Sequence, residues 1–236
     1  NYFDTAPYYN DSKSEDIFGI AFKEMKGEFY TSTKSMETNG DDLRRDLETS
    51  LKRMGIPKIS FFHIWCVLSM EDYRGRMVKG GAYEAALKAK EEGLIDHIAV
   101  STHCNGEEIE AIVNEGKFEG ITVGYNILNF PYRQKGIKAA FKQGMGVATM
   151  NPLSGGLIPE NAGYFDFIKS EKDKSVVEAA LKFNGAHKEI TTVLAGMGSL
   201  KDVEDNARVG DNISEFSQEK LKEIESRLFD SMNEIC

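Results

Sequence analysis

Four side chains could act together on one substrate: Asp4, Tyr9, Lys34 and His63. They lie at or just beyond the ends of three short apolar runs, Tyr2–Phe3, Phe29–Thr33 and Ile59–Ile64. A free tyrosine hydroxyl ionises near pH ~10, too high for efficient proton donation around neutrality. A buried lysine cation beside it favours the phenolate, and an aspartate would hold that lysine charged and in place. A histidine on the opposite side could donate to a carbonyl oxygen and orient it. The set therefore suits carbonyl reduction: hydride arrives at carbon while a tuned tyrosine protonates oxygen. Alone, an Asp–Lys pair is more often a structural ion pair than a catalytic one. Lys34 alone also suits Schiff-base chemistry, which borohydride trapping would reveal; the tyrosine partner argues against that reading.

The elements that must position these groups alternate along the chain. Strand-like runs also occur at His97–Ser101, Ile121–Tyr125, Gly146–Met150 and Thr191–Leu194, for seven in all. They are apolar nearly throughout, as strands covered on both faces should be. Helical patterns lie between them. Asp41–Met54 places Leu43, Leu47, Leu51 and Met54 on one stripe, with Asp41 and Asp42 in the first turn and Gly55 as the stop. Tyr83–Glu92, Glu107–Asn114, Tyr132–Gln143, Lys174–Phe183 and Gln218–Met232 follow the same logic, the last with Leu221, Ile224, Leu228 and Met232 on one stripe. Strand–helix alternation with short loops predicts parallel strands and right-handed crossovers. An open dinucleotide-binding sheet should carry G-x-G-x-x-G after its first strand, and Gly196-Met-Gly198 is incomplete and comes too late. The expected fold class is α/β, a (β/α)8 TIM barrel, in one domain over residues 1–236. Seven strands fall one short of eight, and Asn1 opens on what reads as a strand already under way. A missing first strand, and truncation at both ends, are therefore expected.

Composition narrows the function classes. The 236 residues carry a formal charge of −9, 41% hydrophobic residues, 14 Phe and 9 Tyr, so the chain can build a core and is not a disordered tail. Cys66, Cys104 and Cys236 are too few and too scattered for a disulfide scaffold, and reduced thiols in a cytoplasmic enzyme are the default. No run of 18 apolar residues exists, and the acidic balance argues against a nucleic-acid surface. In a barrel, functional groups gather at the carboxyl ends of the strands. Those positions read Asp4, Lys34, His63, Ser101–His103, Tyr125–Asn126, Asn151 and Gly196–Ser199. Trp65 is either core or a pocket wall, and its position two residues beyond His63 favours the wall; Tyr8, Phe130 and Tyr132 are either walls or core.

Phe3-Asp-Thr-Ala-Pro-Tyr-Tyr9, followed by Glu15 and Gly19, resembles the signature of the aldo-keto reductase family. Thr31-Ser-Thr-Lys34 and Phe61-Phe-His63 resemble its lysine and histidine strand ends, and Ala99-Val-Ser-Thr102 its nicotinamide contact. Asn151-Pro-Leu-Ser-Gly-Gly156 and Leu194-Ala-Gly-Met-Gly-Ser199, with Asp205-Asn206, resemble its pyrophosphate and adenosine loops. The resemblance implies NAD(P)H-dependent reduction of an aldehyde or ketone, with Asp4, Tyr9, Lys34 and His63 catalytic. It implies cofactor contacts from Ser101, Thr102, Asn151, Leu153, Gly155, Gly196, Ser199, Asp205 and Asn206. The Ser199-Leu-Lys-Asp202 opening reads as a capping box whose remaining N–H groups could also hold a phosphate. Departures from the family pattern include Met150 in place of a stacking tyrosine and Thr122 in place of a glutamine. Gly196 and Asp202 stand where basic residues usually hold a 2′-phosphate, so the choice between NADP and NAD is open at this point.

His63…Cys66 and His103-Cys104 lack paired ligand spacing, and no metal is expected there. The middle of the chain, from Phe61 through Lys79-Gly-Gly-Ala82 to His103, resembles a branch whose barrel is followed by a ferredoxin-like module. Cys236 would then be the first cysteine of a [4Fe–4S] run in a longer chain. The alternative to a reductase is a nucleotide-binding or electron-relay scaffold partnered with such an iron–sulfur module, with little carbonyl turnover. The expected partners are a small-molecule carbonyl substrate and a ferredoxin-like module or redox partner, with no nucleic acid and no membrane.

Overall fold

The computed structural model describes residues 1–211, 213 and 217–235, with the side chains of Gln218 and of residues 229–235 left aside. Strands and helices alternate through two compact units. The first comprises residues 1–104, 111–122 and 143–145, and the second comprises 105–110, 123–142 and 146–236.

In the first unit, β1 (Tyr2–Asp4), β2 (Tyr30–Ser35), β3 (Ile59–Val67) and β4 (Ile95–Thr102) pair in chain order, each parallel to the next. Two stretches follow β1: the short turn α1 (Tyr9–Ser12) and α2 (Ser14–Phe22). Helix α3 (Gly40–Met54) follows β2; α4 (Met70–Arg76) and α5 (Ala82–Glu91) follow β3. The α3 stripe folds as its periodicity requires. Asn39 accepts the Asp41 and Asp42 N–H groups at the N-terminus, and Gly55, at φ 63°, closes the helix in the left-handed region. Leu43, Leu47 and Met54 are fully buried, each worth roughly 1.5–3 kcal/mol relative to exposure. Helix α5 packs on α3 and β4 and buries Ala82, Ala86 and Ala89.

Because side chains alternate along a strand and parallel partners share a face, one face of this sheet is layered. In register, Ser32 stands beside Phe61 and His97, with Phe61 stacked on His97 at 5.0 Å. Lys34 stands beside His63 and Ala99, and Trp65 beside Ser101 towards the carboxyl ends. Register slips between Trp65 and Val67. Cys66 is the inserted residue, at φ 55°, a bulge that re-aims the end of β3.

Helix α6 (Gly106–Asn114) and strand β5 (Gly120–Gly124) follow β4. In the second unit, α7 (Phe130–Lys142) leads towards β6 (Gly146–Met150), which pairs parallel with β7 (Thr192–Val193). Between them lie α8 (Leu157–Glu160) and α9 (Val176–Gly185); α10 (Leu200–Gly210) and α11 (Gln218–Ile235) follow β7. Tyr125 stacks on Phe183, and Phe130 meets Phe183 edge-on at 5.3 Å, so Phe130 is core here. On α11, Leu221, Ile224 and Leu228 are buried as their stripe predicts. The Met232 side chain and Cys236, and with it the cysteine-run expectation, lie outside the described residues. Among the described residues no helix is long and apolar enough to cross a membrane.

Candidate active site

All the geometry bearing on proton donation lies in the first unit. Strand β1 delivers Asp4, and the chain then turns through Thr5, whose hydroxyl donates to Ser14 Oγ at 2.8 Å. Tyr9 follows, and Asn10, Asp11 and Ser12 all take positive φ of 53°, 53° and 63°. Asn and Asp tolerate the left-handed region better than other residues carrying a Cβ, so Asn10 and Asp11 have local chemistry that permits this tight turn. Glu15 is buried and accepts the Thr33 hydroxyl at 2.7 Å, tying α2 to β2.

Lys34 Nζ lies 2.7 Å from Asp4 Oδ2 and 3.2 Å from Tyr9 Oη. Lys34 is only 3% exposed, whereas Tyr9 is 39% exposed. An ammonium has donors and no acceptor. Tyr9 oxygen therefore accepts from Lys34, and its own O–H proton remains free to be donated outward. Three of the four expected residues are thus brought together, with the proton-bearing one facing solvent.

The fourth is placed elsewhere. His63 is 2% exposed and one layer below Trp65. Its Nδ1 lies 3.3 Å from Ser32 Oγ and its Nε2 2.9 Å from Thr122 Oγ1. The expectation that His63 donates to a substrate carbonyl is not met by this geometry, because both ring nitrogens already face protein hydroxyls. Burial, the largest effect, pushes its ionisation down to about 4; nearby Asp4 opposes and Lys34 assists. Trp65 borders the hydroxyl instead. Its ring meets Tyr9 edge-on at 5.9 Å, Lys34 Nζ lies 5.6 Å from its centroid, and Tyr8 stacks on it at 6.4 Å. Trp65 thus stands beside Tyr9 and Lys34, and Tyr8, 56% exposed, lies on its other side. Ser32 was overlooked as a site residue, although it shares a strand face with Lys34 and period-two reading could have found it.

Of the expected cofactor contacts in this unit, Ser101 Oγ is buried with no hydrogen-bond partner among the described residues, which fits a hydroxyl awaiting a ligand amide. The Thr102 hydroxyl is consumed internally, donating to the Val67 carbonyl at 2.9 Å and accepting from Cys104 N–H at 3.0 Å. Thr122 is likewise engaged, with His63.

In the second unit, the Asn151 carbonyl accepts from Asn126 Nδ2 at 2.8 Å, and Asn151 has φ 56°. The Leu153 carbonyl accepts the Gly156 and Ile158 N–H groups, while Gly155, at φ 66°, has open space where a Cβ would stand. Gly196 also has open space there. The capping box of α10 is present. Ser199 Oγ accepts the Asp202 N–H, and the Asp202 carboxylate accepts the Gly198 and Ser199 N–H groups at 3.0 and 2.9 Å. Those bonds hold the Asp202 carboxyl below the usual range, led by Ser199. An anion thus already occupies this helix start, so the cap rather than phosphate capture accounts for the motif.

Next to it is a cavity of about 1190 Å³ that Asp205 and Asn206 line. Asp205 is paired with Lys201 and Arg208. Lys172 and Lys174 also line the cavity and form no ion pair among the described residues. Neither lysine belongs to a motif: Lys172 lies in a loop, and Lys174, read from the sequence as the first residue of a helix, precedes the Ser175 cap.

Comparison with known proteins bears on these two sets. The chain is 23% identical to L-galactose dehydrogenase of Arabidopsis thaliana, over 97% of this chain and 80% of that protein. Its structure resembles an aldo-keto reductase of Bacillus halodurans in its holo form, with a TM-score of 0.78 and 21% identity over 96% of this chain and 82% of the other. It also resembles an aldo-keto reductase of Klebsiella pneumoniae in complex with NADPH, with a TM-score of 0.75 and 17% identity over 96% and 79%. These structures share the (β/α)8-barrel fold expected for this chain. The aldo/keto reductase family model matches residues 1–228. With Asp4, Lys34 and Tyr9 assembled at one set of strand ends, the match over nearly the whole chain makes this protein a member of the aldo/keto reductase family and an NAD(P)-dependent oxidoreductase.

Proposed function

We propose that this protein reduces an aldehyde or ketone to the alcohol with NADPH, and that Tyr9 is the proton donor. One observation carries the reading: buried Lys34 donates to both Asp4 and Tyr9, so the exposed Tyr9 hydroxyl keeps its proton for a substrate oxygen. When bound, a nicotinamide cofactor would supply the hydride for the carbonyl carbon. Tyr9 O–H binds the carbonyl oxygen and delivers the proton as negative charge develops there. Lys34 stabilises the phenolate left behind, and Asp4 holds Lys34 in place. Trp65 and Tyr8 form an aromatic wall that orients the rest of the substrate and keeps water from the hydroxyl.

Ser101 Oγ is proposed to bond the carboxamide, an assignment supported by its having no hydrogen-bond partner among the described residues. Thr102 would contribute through its backbone rather than its engaged hydroxyl. Asn151, Leu153 and Gly155 are proposed to lie along the pyrophosphate, and Gly196, Ser199, Asp205 and Asn206 towards the adenosine. The preference for NADPH is supported by Lys172 and Lys174, which form no ion pair among the described residues and offer cations to a 2′-phosphate despite the acid at Asp202. The protein is proposed to work in the cytoplasm, where NADPH and reduced thiols are found.

The test is NADPH oxidation by the purified protein against a panel of aliphatic and aromatic aldehydes and ketones. Carbonyl-dependent oxidation with stoichiometric alcohol supports the proposal. NADPH binding without oxidation across the panel would replace it with the scaffold alternative.

A further inference from the structure

A chain of buried hydrogen bonds runs from Thr122 to Lys34, and its donor directions can be assigned without seeing a proton. The Asp4 carboxylate only accepts, so Ser32 Oγ, 2.6 Å from Oδ1, must give its single proton to it. Ser32 Oγ can then only accept from His63 Nδ1 at 3.3 Å, which makes Nδ1 the protonated nitrogen. In the neutral ring Nε2 is an acceptor, so the Thr122 hydroxyl donates to it at 2.9 Å. The opposite tautomer would turn the Ser32 proton towards His63 and leave two oxygens 2.6 Å apart with no hydrogen between them.

Four members are sealed from water, Ser32 at 0%, His63 2%, Thr122 1% and Lys34 3% exposed, while the Asp4 side chain is 14% exposed. The charged or titratable groups around the ring are Asp4 on β1 and Lys34 on β2. Tyr2, also on β1, faces Ser32 and Asp4, and burial pushes its ionisation up. From β4 the register partner of His63 is Ala99, which carries no charge. With burial holding the imidazole's ionisation at about 4, the ring is neutral throughout the working range.

We infer that His63 is a positioning residue: its neutral imidazole links Thr122 to Ser32 and so fixes the Asp4 carboxylate that holds Lys34 beside Tyr9. The inference rests on reading Tyr9 and Lys34 as the reducing centre, but its first test needs no turnover. Histidine ¹⁵N-labelled full-length protein would be examined by long-range ¹H–¹⁵N correlation, with the His63→Asn spectrum assigning the His63 signal. The Nδ1–H tautomer, unchanged from about pH 5 to 9, is expected. Ser32→Ala should mix the tautomers, whereas Ser32→Thr should retain Nδ1–H.

In turnover, Ser32→Ala should lower kcat about tenfold and alter its pH profile, leaving NADPH affinity unchanged. Ser32→Thr should restore both. An Nε2–H tautomer in the wild-type protein overturns the inference. So does a folded Ser32→Ala protein with the wild-type tautomer, or one with wild-type kcat and pH profile. If the wild-type protein reduces no carbonyl, the proposed function fails while the tautomer result still decides the relay.

Discussion

Lys34→Met removes the charge but keeps an unbranched chain of similar length, which isolates the electrostatic role of the ammonium. At 3.2 Å from Tyr9 Oη and an effective dielectric constant of about 20, a full negative charge on that oxygen would gain about 5 kcal/mol from Lys34. If about half a charge has developed in the transition state, the loss is about 2.5 kcal/mol, or about 70-fold in rate. Losing Lys34 also exposes the phenolate to the Asp4 carboxylate, 2.7 Å from the missing ammonium, so the total should reach about 100-fold or more. Removing one partner of a buried pair can cost about 3–5 kcal/mol of stability. Here the cost should fall below that range, because Asp4 keeps the Ser32 hydroxyl at 2.6 Å and is 14% exposed. The assay is steady-state NADPH oxidation with a saturating aldehyde, alongside NADPH titration by fluorescence and a thermal melt. The expected pattern is a fall in kcat, near-unchanged cofactor affinity and a folded protein. A folded Lys34→Met variant within about threefold of wild-type kcat would refute the electrostatic argument.

Reversing both cavity cations with Lys172→Glu and Lys174→Glu should weaken NADPH binding about tenfold or more and leave NADH binding little changed. The effect should shrink with added salt, and equal losses for both cofactors in fluorescence titrations would remove these lysines from 2′-phosphate recognition. Gly19→Ala should cost about 1–3 kcal/mol, because the added Cβ would lie 2.4 Å from the Arg53 carbonyl oxygen and 3.0 Å from Met54 Cα, both backbone atoms. A denaturant titration showing no loss would mean α2 can move away from α3. Acid stability should depend on His63. Its ionisation drops from 6.5 unfolded to about 4 folded, so the unfolded chain binds more protons between those values. Stability is therefore full above about pH 6.5 and falls by about 3 kcal/mol as pH drops to about 4. His63→Asn should flatten that slope in urea midpoints measured across the interval, and an unchanged slope would contradict the assignment.

Much of the scaffold was legible because periodicity and caps report directly on backbone geometry. The α3 stripe, its Gly55 stop and the Ser199–Asp202 capping box are examples. Helices α2 and α4 were less visible. Helix α2 buries Glu15 and Gly19 rather than an apolar stripe, and α4 is one short stretch, although Ser69 and Asp72 carried a capping signal. Asp4, Tyr9 and Lys34 could be found because each stands next to a strand end in a recognisable order. His63 and Trp65 could not be ranked in the same way. Both point to one sheet face, about 7 Å apart along the strand. Which of them reaches the mouth depends on where β3 ends and how the Cys66 bulge turns it, and neither is written in residue type. The Ser32–His63–Thr122 chain joins three strands, so it becomes visible only once their register is known.

The central claim is that Tyr9 donates the proton, and Tyr9→Phe tests it most directly. The change deletes one oxygen from a side chain that is 39% exposed, keeps the ring against Trp65, and leaves Lys34 its bond to Asp4. NADPH affinity and melting temperature should therefore stay close to wild type. NADPH-dependent formation of alcohol from an aldehyde that the wild-type protein reduces should fall to background. Alcohol formation by the Tyr9→Phe protein at a rate near wild type would contradict the account.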